Sequence, residues 1–219
     1  MQQCDFAVIG GGLVGSAIAY GLASQGHQVS VLDEGDVAYR ASRGNFGLVW
    51  VQGKGQEIPL YSRWSMRSAS LWAALSQELF ELTGVATQHH NPGGVHLCYS
   101  QAELANREVE LDALAQATGR QFTFDMLDHD QLRDLIPGIG ESVTGASWSS
   151  WDGHANPLYL LRALHDGIRH YGGRFVSGSK VHRIRRNGDS FVIERDHQTL
   201  TAGRVILAAG LGNRELAPQ

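Results

Sequence analysis

The chain has 219 residues, of which 42% are hydrophobic and 18% charged, as is ordinary for a globular protein of one large or two modest domains. This composition excludes disordered and fibrous classes of protein. Asp and Glu outnumber Lys and Arg by 22 to 18, and the formal net charge of -4 gives no basic surface for nucleic acid, so we predict no nucleic-acid partner.

The cysteines and the N-terminal segment indicate a reducing compartment. Cys4 and Cys98 form neither a CxxC motif nor a metal-binding spacing, and the ten histidines, including the pair His89 and His90, form no HxxxH or HExxH arrangement. No metal site is therefore predicted. Asp5 interrupts the first apolar run, which argues against a secretory signal. We expect a cytoplasmic protein, and peripheral docking at the inner face of a membrane remains an alternative.

The first elements predict a βαβ unit. An apolar run from Cys4 to Ile9 ends in glycines, which is typical of a strand buried on both faces. Small and aliphatic residues predict a helix over 13–24, and residues 28–32 predict a second strand. Strand, helix and strand follow one another within about thirty residues, as in a βαβ unit.

The rest of the chain is predicted to contain both helices and strands. Residues 41–54 are glycine-rich and predict a loop. Apolar side chains at three- and four-residue spacing predict a long amphipathic helix over 58–82. The further predicted elements are a hairpin at 89–100, helices at 101–118, 128–135 and 157–171, and strands at 174–177, 181–186, 191–195 and 204–208, with Asn187 and Gly188 as a hairpin turn.

A GxGxxG motif lies at the turn between the first strand and the helix. Gly10 permits the tight turn, Gly12 allows the backbone to approach a pyrophosphate, and Gly15 allows the helix to pack closely on the sheet. The N terminus of the helix attracts the phosphate charge. The candidate cofactor contacts at this turn are Gly10, Gly12, Leu13, Val14 and Gly15.

An acidic residue ends the second strand. Asp33 lies roughly 20 residues beyond the motif, the spacing expected for the acceptor of the ribose hydroxyls. Glu34 is the second candidate, since strand ends are uncertain by a residue or two. A carboxylate here disfavours the 2′-phosphate of NADP. The motif does not by itself distinguish FAD from NAD.

Several segments, taken together with this motif, resemble the family of D-amino-acid oxidase, glycine oxidase and sarcosine oxidase. They are the loop 41–47 (Ala-Ser-Arg-Gly-Asn-Phe-Gly), the distal segment 205–210 (Val-Ile-Leu-Ala-Ala-Gly), and the segment 151–157, which is similar to the family's Asp-Gly-x-x-x-Pro. The likeness spans the whole chain. Within the family it is strongest to the D-hydroxyproline and opine dehydrogenase subunits.

The resemblance implies that FAD is the cofactor and assigns further contacts. The loop would pass beneath the flavin, so that Ser42, Arg43, Asn45, Gly47 and Leu48 contact the pyrophosphate and the isoalloxazine. Arg43 fits a solvated loop arginine equally well. The backbone of Val181 would pair with the adenine edge, and Ala209 and Gly210 would close over the pyrophosphate.

The predicted fold class is α/β. Residues 1–55 and 141–219 are predicted to form a Rossmann-type FAD-binding domain, with part of an α+β substrate domain, residues 56–140, inserted between them. In the resembling family, the partner of the substrate carboxylate and the last flavin contact come from the part of the chain that follows the Ala-Ala-Gly segment. We therefore expect the sequence to be an N-terminal part, and a second polypeptide that supplies the remainder is the alternative.

The resemblance also implies the reaction. It is the FAD-dependent oxidation of the C–N bond of an amino acid or secondary amine, of the D-amino acid, hydroxyproline or opine type, by hydride transfer to flavin N5. The substrate would be a small-molecule amine, and the electron acceptor is either oxygen or a quinone or other carrier. No catalytic residue is assigned. The alternatives are an NAD-dependent Rossmann dehydrogenase and a non-catalytic flavin-binding subunit of a multi-subunit dehydrogenase, which would have partner subunits.

Overall fold

The computed structural model describes residues 2–35, 41–55, 58–196 and 198–217. The chain divides into two compact units. Unit 1 comprises Met1–Phe46, Gln77–Thr87 and Asn156–Gln219, and unit 2 comprises Gly47–Ser76 and Gln88–Ala155.

The elements follow one another in an order that mixes strands and helices. The strands are β1 (Gln2–Ile9), β2 (Val29–Leu32), β3 (Leu48–Val49), β4 (Gly94–Cys98), β5 (Asp125–Asp128), β6 (Gly145–Ser149), β7 (Gly153–His154), β8 (Arg174–Val176), β9 (Val181–Asn187), β10 (Ser190–Arg195) and β11 (Gln198–Leu207). The helices are α1 (Leu13–Ser24), α2 (Pro59–Thr83), α3 (Gln101–Ala117), α4 (His129–Leu135), α5 (Pro157–His170) and α6 (Asn213–Leu216). In the described part of the chain, no helix is both long and apolar enough to cross a membrane.

Unit 1 is built on a six-stranded sheet in the order β8-β2-β1-β11-β10-β9. The first four strands are parallel, and β10 runs antiparallel to both of its neighbours. The core of unit 1 includes the buried residues Ile9, Leu32, Ile193, Leu200 and Ala202. This is the predicted α/β fold with a parallel sheet, and the βαβ unit of β1, α1 and β2 is confirmed.

The two helices α1 and α5 pack on each other, with the Tyr20 ring of α1 against Gly167 of α5. The buried face of α1 includes Gly15, Ser16 and Ala19, which lack long side chains.

The helix α5 begins where predicted, because the Asn156 side chain accepts hydrogen bonds from the first turn and Pro157 occupies the first helical position.

Unit 2 is built on a three-stranded antiparallel sheet in the order β4-β6-β5. A cluster of buried side chains, Val51, Met66, Leu111, Leu114 and Phe122, forms one core of this unit. A second, two-stranded sheet joins β3 to β7 in antiparallel pairing.

The unit boundaries differ from the predicted domain boundaries at 55/56 and 140/141. The units change at 46/47 and 155/156. Within residues 141–155, β6 is the central strand of the antiparallel sheet, and β7 pairs with β3 of residues 47–55. Residues 77–87 group with unit 1. The assignment of the units to an FAD-binding and a substrate domain stays a prediction.

One predicted element is wrong. Residues 89–100 do not form a hairpin, since β4 pairs with β6 from a distant part of the chain. The strand β6 was not predicted, because its sequence Gly-Ala-Ser-Trp-Ser shows no alternation of apolar and polar residues. The turn residues within 89–100 therefore predicted a hairpin wrongly, and the pairing of β4 with the distant β6 left no pattern in the sequence.

The contact between α1 and α5 leads to a prediction about stability. A Cβ at Gly167 would lie 2.6 Å from Cε2 of the Tyr20 ring, whose hydroxyl donates a hydrogen bond to Glu78. Overpacking costs about 1–3 kcal/mol, whereas replacing a helical glycine by alanine gains up to about 1 kcal/mol. We expect Gly167→Ala to lower the free energy of unfolding in urea by a net amount of about 1 kcal/mol.

Gly21→Ala is the matched control. Gly21 lies within α1, and a Cβ there meets no atom of the described structure within 4 Å. This substitution should therefore raise the free energy of unfolding by about 0.5–1 kcal/mol. If Gly167→Ala proved as stable as Gly21→Ala, the close contact with Tyr20 would be contradicted.

Candidate functional site

The glycine-rich turn of unit 1 leaves no room for side chains. Gly10 has a positive φ of 105°, and a Cβ there would lie 2.4 Å from the carbonyl oxygen of Ala208. A Cβ at Gly15 would lie 2.0 Å from the carbonyl oxygen of Gly10. These contacts explain why glycine is required at both positions of the motif.

The turn leads into the N terminus of α1. Gly12 is the N-cap residue and, lacking a side chain, supplies no capping hydrogen bond. The N–H of Leu13 donates to Oγ of Ser42 at 3.0 Å. A Cβ at Gly12 would lie 2.7 Å from the same oxygen. The predicted loop contact Ser42 is therefore brought directly to the turn, beside the N–H groups that have no partner within the helix.

The remainder of the loop in unit 1 folds back on itself. Nδ2 of Asn45 donates to the carbonyl oxygens of Ala41 and Ser42, at 3.0 and 3.1 Å. Arg43 lines an open cavity of about 210 Å³ along α5. The other residues of this lining are Leu158, Leu161, Arg162, His165, Asp166 and Arg169.

Asp33 holds the turn from the end of β2. Its Oδ2 accepts the N–H of Gly11 at 2.7 Å, and its Oδ1 accepts the N–H of Gly35 at 2.9 Å. Its carbonyl oxygen accepts the N–H of Ser179 at 2.7 Å. The beginning of β9, with the buried Val181, is thereby brought to the same edge of the sheet.

Two further predicted residues lie close by. The carboxylate oxygen Oε2 of Glu34 lies 3.9 Å from Nζ of Lys180. Ala209 approaches the turn, since a Cβ at Gly10 would lie 2.8 Å from its Cα, and Gly210 follows with a positive φ of 58°. Unit 1 thus gathers the predicted residues of the turn, of the β2 end and of the distal Ala-Ala-Gly segment.

Gly47 and Leu48 belong to unit 2. The carbonyl oxygen of Gly47, whose φ is 71°, accepts the N–H of Ala155 at 2.8 Å. Leu48 pairs with His154 across the two-stranded sheet, and its side chain is 58% exposed. The Leu48 side chain is therefore open to solvent.

Two residues that were not predicted, Ser16 and His165, hold the carbonyl oxygen of Gly11. Oγ of Ser16 donates to the Gly11 carbonyl oxygen at 3.0 Å, and Nε2 of His165 lies 3.1 Å from that oxygen and 2.9 Å from Oγ of Ser16. The Phe175 ring packs on His165, and a Cβ at Gly11 would lie 2.6 Å from this ring. The extra glycine inside the motif was the available signal.

His165 also gives the site a pH dependence. Burial lowers the pKa of His165 below its usual value, and the charge of Arg169 acts in the same direction. Because the folded state keeps the ring neutral, the unfolded chain binds more protons once the pH falls below about 6.5. This contribution to stability is present above that pH and is lost between it and the lowered pKa.

We expect His165→Gln to reduce the fall in Tm between about pH 7 and pH 5, because glutamine still donates to the Gly11 carbonyl but does not titrate. Thermal unfolding in steps of pH measures the slope. His170→Gln, at an exposed position of the same helix, is the control and should keep the slope of the wild-type protein. Equal slopes for all three proteins would show that His165 is not held neutral.

Comparison with known proteins identifies the family. Residues 5–219 match the family described as DAO, FAD dependent oxidoreductase. An opine oxidase subunit of Rhizobium meliloti is 39% identical over 219 residues, which cover 100% of this chain and 59% of that protein. Glycine oxidase of Bacillus subtilis (strain 168) is 24% identical over 210 residues, which cover 96% of this chain and 55% of that protein.

The fold agrees with these matches. The crystal structure of glycine oxidase from Geobacillus kaustophilus superposes with a TM-score of 0.87 at 25% identity, covering 95% of this chain and 56% of that one. The chain thus spans a little over half the length of these relatives. The resemblance inferred from the sequence is confirmed, and the chain belongs to the DAO family of FAD dependent oxidoreductases.

Proposed function

We propose that the protein is an FAD-dependent oxidoreductase that oxidises the C–N bond of an amino acid or secondary amine. FAD, when bound, would supply the redox chemistry, in which flavin N5 accepts a hydride from the substrate carbon beside the amine nitrogen. The observation that carries the proposal is the cradle of glycines at the N terminus of α1, in a chain of this family. The protein's own residues bind the cofactor, orient the reactants and exclude water.

The turn of unit 1 fits a pyrophosphate. Gly12 leaves open the space that a Cβ would fill against Ser42, and the helix N terminus places N–H groups and a favourable dipole there. The Ser42 hydroxyl is available as a further polar contact. We assign the pyrophosphate to Gly10, Gly12, Leu13, Val14, Gly15, Ser42, Ala209 and Gly210.

The end of β2 fits the adenosine. Each carboxylate oxygen of Asp33 accepts one backbone N–H and keeps acceptor capacity for a ribose hydroxyl. Glu34 is the second candidate for this contact. The backbone of Val181, which the Asp33–Ser179 hydrogen bond brings to this edge, is proposed to meet the adenine.

The flavin ring is assigned to the loop that leaves the turn. We propose that Asn45, Gly47 and Leu48 contact the isoalloxazine, with Arg43 as a further contact. Support comes from the exposed Leu48 side chain and from the position of Ser42 at the start of this loop. Glycine at 47 keeps the backbone accessible to the ring.

The names of the relatives guide the choice of substrate. The opine oxidase subunit of Rhizobium meliloti is 39% identical, whereas glycine oxidase of Bacillus subtilis is 24% identical, so we propose an opine-type secondary amine ahead of a simple amino acid. Because the first of these relatives is named as one subunit of its enzyme, we also propose that partner subunits complete the enzyme here. The electron acceptor is proposed to be oxygen or a carrier such as a quinone.

Visible spectroscopy of the purified complete protein tests the function. We expect the absorption bands of bound flavin, and we expect these bands to bleach when an opine is added without oxygen. D-amino acids and hydroxyproline isomers are the comparison substrates. Bands that no amine bleaches would support a non-catalytic flavin subunit, and a protein that binds NAD without flavin would contradict the proposal.

A single methyl group tests the pyrophosphate site. Gly12→Ala should raise the Kd for FAD by about tenfold or more, equivalent to about 1.4 kcal/mol, because the added Cβ fills the approach of the phosphate and pushes on Ser42. Quenching of flavin fluorescence on binding measures the Kd. Gly21→Ala, later in the same helix, should leave the Kd unchanged, and a wild-type Kd for Gly12→Ala would place the pyrophosphate elsewhere.

A further inference from the structure

The peptide group of Gln52 lies between two oppositely charged side chains inside unit 2. Its N–H donates to Oδ1 of Asp152 at 3.3 Å, and its carbonyl oxygen accepts from Nη2 of Arg107 at 2.6 Å. The N–H of Val51 donates to the same Oδ1 at 2.5 Å. Gln52 and Asp152 are 0% exposed and Arg107 is 7% exposed, so this backbone segment is held without access to water.

The Gln52 side chain ties the same segment to the antiparallel sheet. Its Nε2 donates to the carbonyl oxygen of Gly94 on β4, at 2.9 Å. Its Oε1 accepts from Oγ of Ser147 on β6, at 2.7 Å, and from Nη2 of Arg107 at 3.1 Å. The Gln52 side chain is thereby hydrogen-bonded at both its nitrogen and its oxygen, which holds it in one arrangement.

Residues 47–52 are also paired with residues 152–155. Gly47 accepts the N–H of Ala155, and Leu48 and Val49 pair with β7. The strands β3 and β7 have two residues each, and so short a ladder is weak by itself. The hydrogen bonds to Asp152, at the end of this pairing, therefore supply the stronger hold on the segment.

The Asp152 carboxyl is a costly group for a purely structural role. Its Oδ2 is buried and has no hydrogen-bond partner in the part of the chain that the structure describes. Burial raises the pKa of Asp152 above its usual value. A buried acceptor without a partner destabilises a fold, so its presence calls for a compensating role.

We propose that Asp152, Gln52 and Arg107 form an anchor that positions Gly47 and Leu48 for contact with the isoalloxazine ring of FAD. This inference rests on the proposed function, which assigns Gly47 and Leu48 to the flavin. The three residues are positioning residues, since they act through the backbone of the loop. A shift of the loop by about 1 Å suffices to affect binding and turnover strongly.

Replacement of Asp152 in the complete protein tests the anchor. We expect Asp152→Ala to raise the Kd for FAD about tenfold, to shift the visible bands of the bound flavin and to lower kcat, because Val51 and Gln52 lose their common acceptor. Asp152→Asn keeps an oxygen at the Oδ1 position and should restore all three quantities to within about threefold of the wild type.

Two variants in the same unit serve as controls. Leu132→Ala removes a fully buried side chain from α4 and lowers stability without touching residues 47–52. Asp112→Ala removes an exposed carboxylate from α3. Both should keep the flavin spectrum and the Kd for FAD of the wild type. Asp152→Leu removes the acceptor without leaving a cavity, and it replaces Asp152→Ala if that variant does not fold.

The outcomes separate the anchor from the function it serves. If the wild-type protein holds flavin, and the alanine or leucine variant keeps its spectrum and Kd, the anchor is overturned while the proposed function stands. The anchor is also overturned if Leu132→Ala reproduces the spectral change or if Asp152→Asn fails to restore it. A wild-type protein that binds no flavin overturns the proposed function, and the anchor with it.

Discussion

The hydrogen bond from the Gly11 N–H to the Asp33 carboxylate, 2.7 Å long, fixes the turn on which the site of unit 1 depends. On the other side of the same residue, the carbonyl oxygen is held by Ser16 and His165. The Phe175 ring occupies the position that a side chain at 11 would need. Because both the N–H and the carbonyl oxygen of Gly11 are held by other residues of unit 1, the turn is fixed without a ligand.

A carboxylate that accepts backbone N–H groups appears in both units, with different consequences. Asp33 is partly exposed, uses both of its oxygens and lies at the edge of a parallel sheet, which suits a direct contact with a ligand. Asp152 is fully buried and uses one oxygen, which suits the positioning of backbone rather than binding. Burial is thus the physical difference between these two carboxylates, to which we assign a proposed binding role and a proposed positioning role.

Local patterns predicted the parts of the fold that depend on neighbouring residues. The bounds of α1, the capping of α5 by Asn156 and the place of Asp33 after β2 follow from short motifs, and the structure has them where the sequence put them. Contacts between distant residues left no such signal. The packing of His165 and Phe175 behind Gly11, the pairing of β4 with β6 and the grouping of residues 47–55 with unit 2 are all of this kind.

If unit 1 binds the adenosine and pyrophosphate of FAD at the turn, at Asp33 and at Val181, then adenosine diphosphate alone occupies the same contacts. Competition titration of bound FAD with adenosine diphosphate and with FMN, followed by flavin fluorescence, measures this most directly. We predict that adenosine diphosphate displaces FAD and that FMN is a much weaker competitor. Displacement by FMN but not by adenosine diphosphate would contradict the assignment of this turn as the pyrophosphate site.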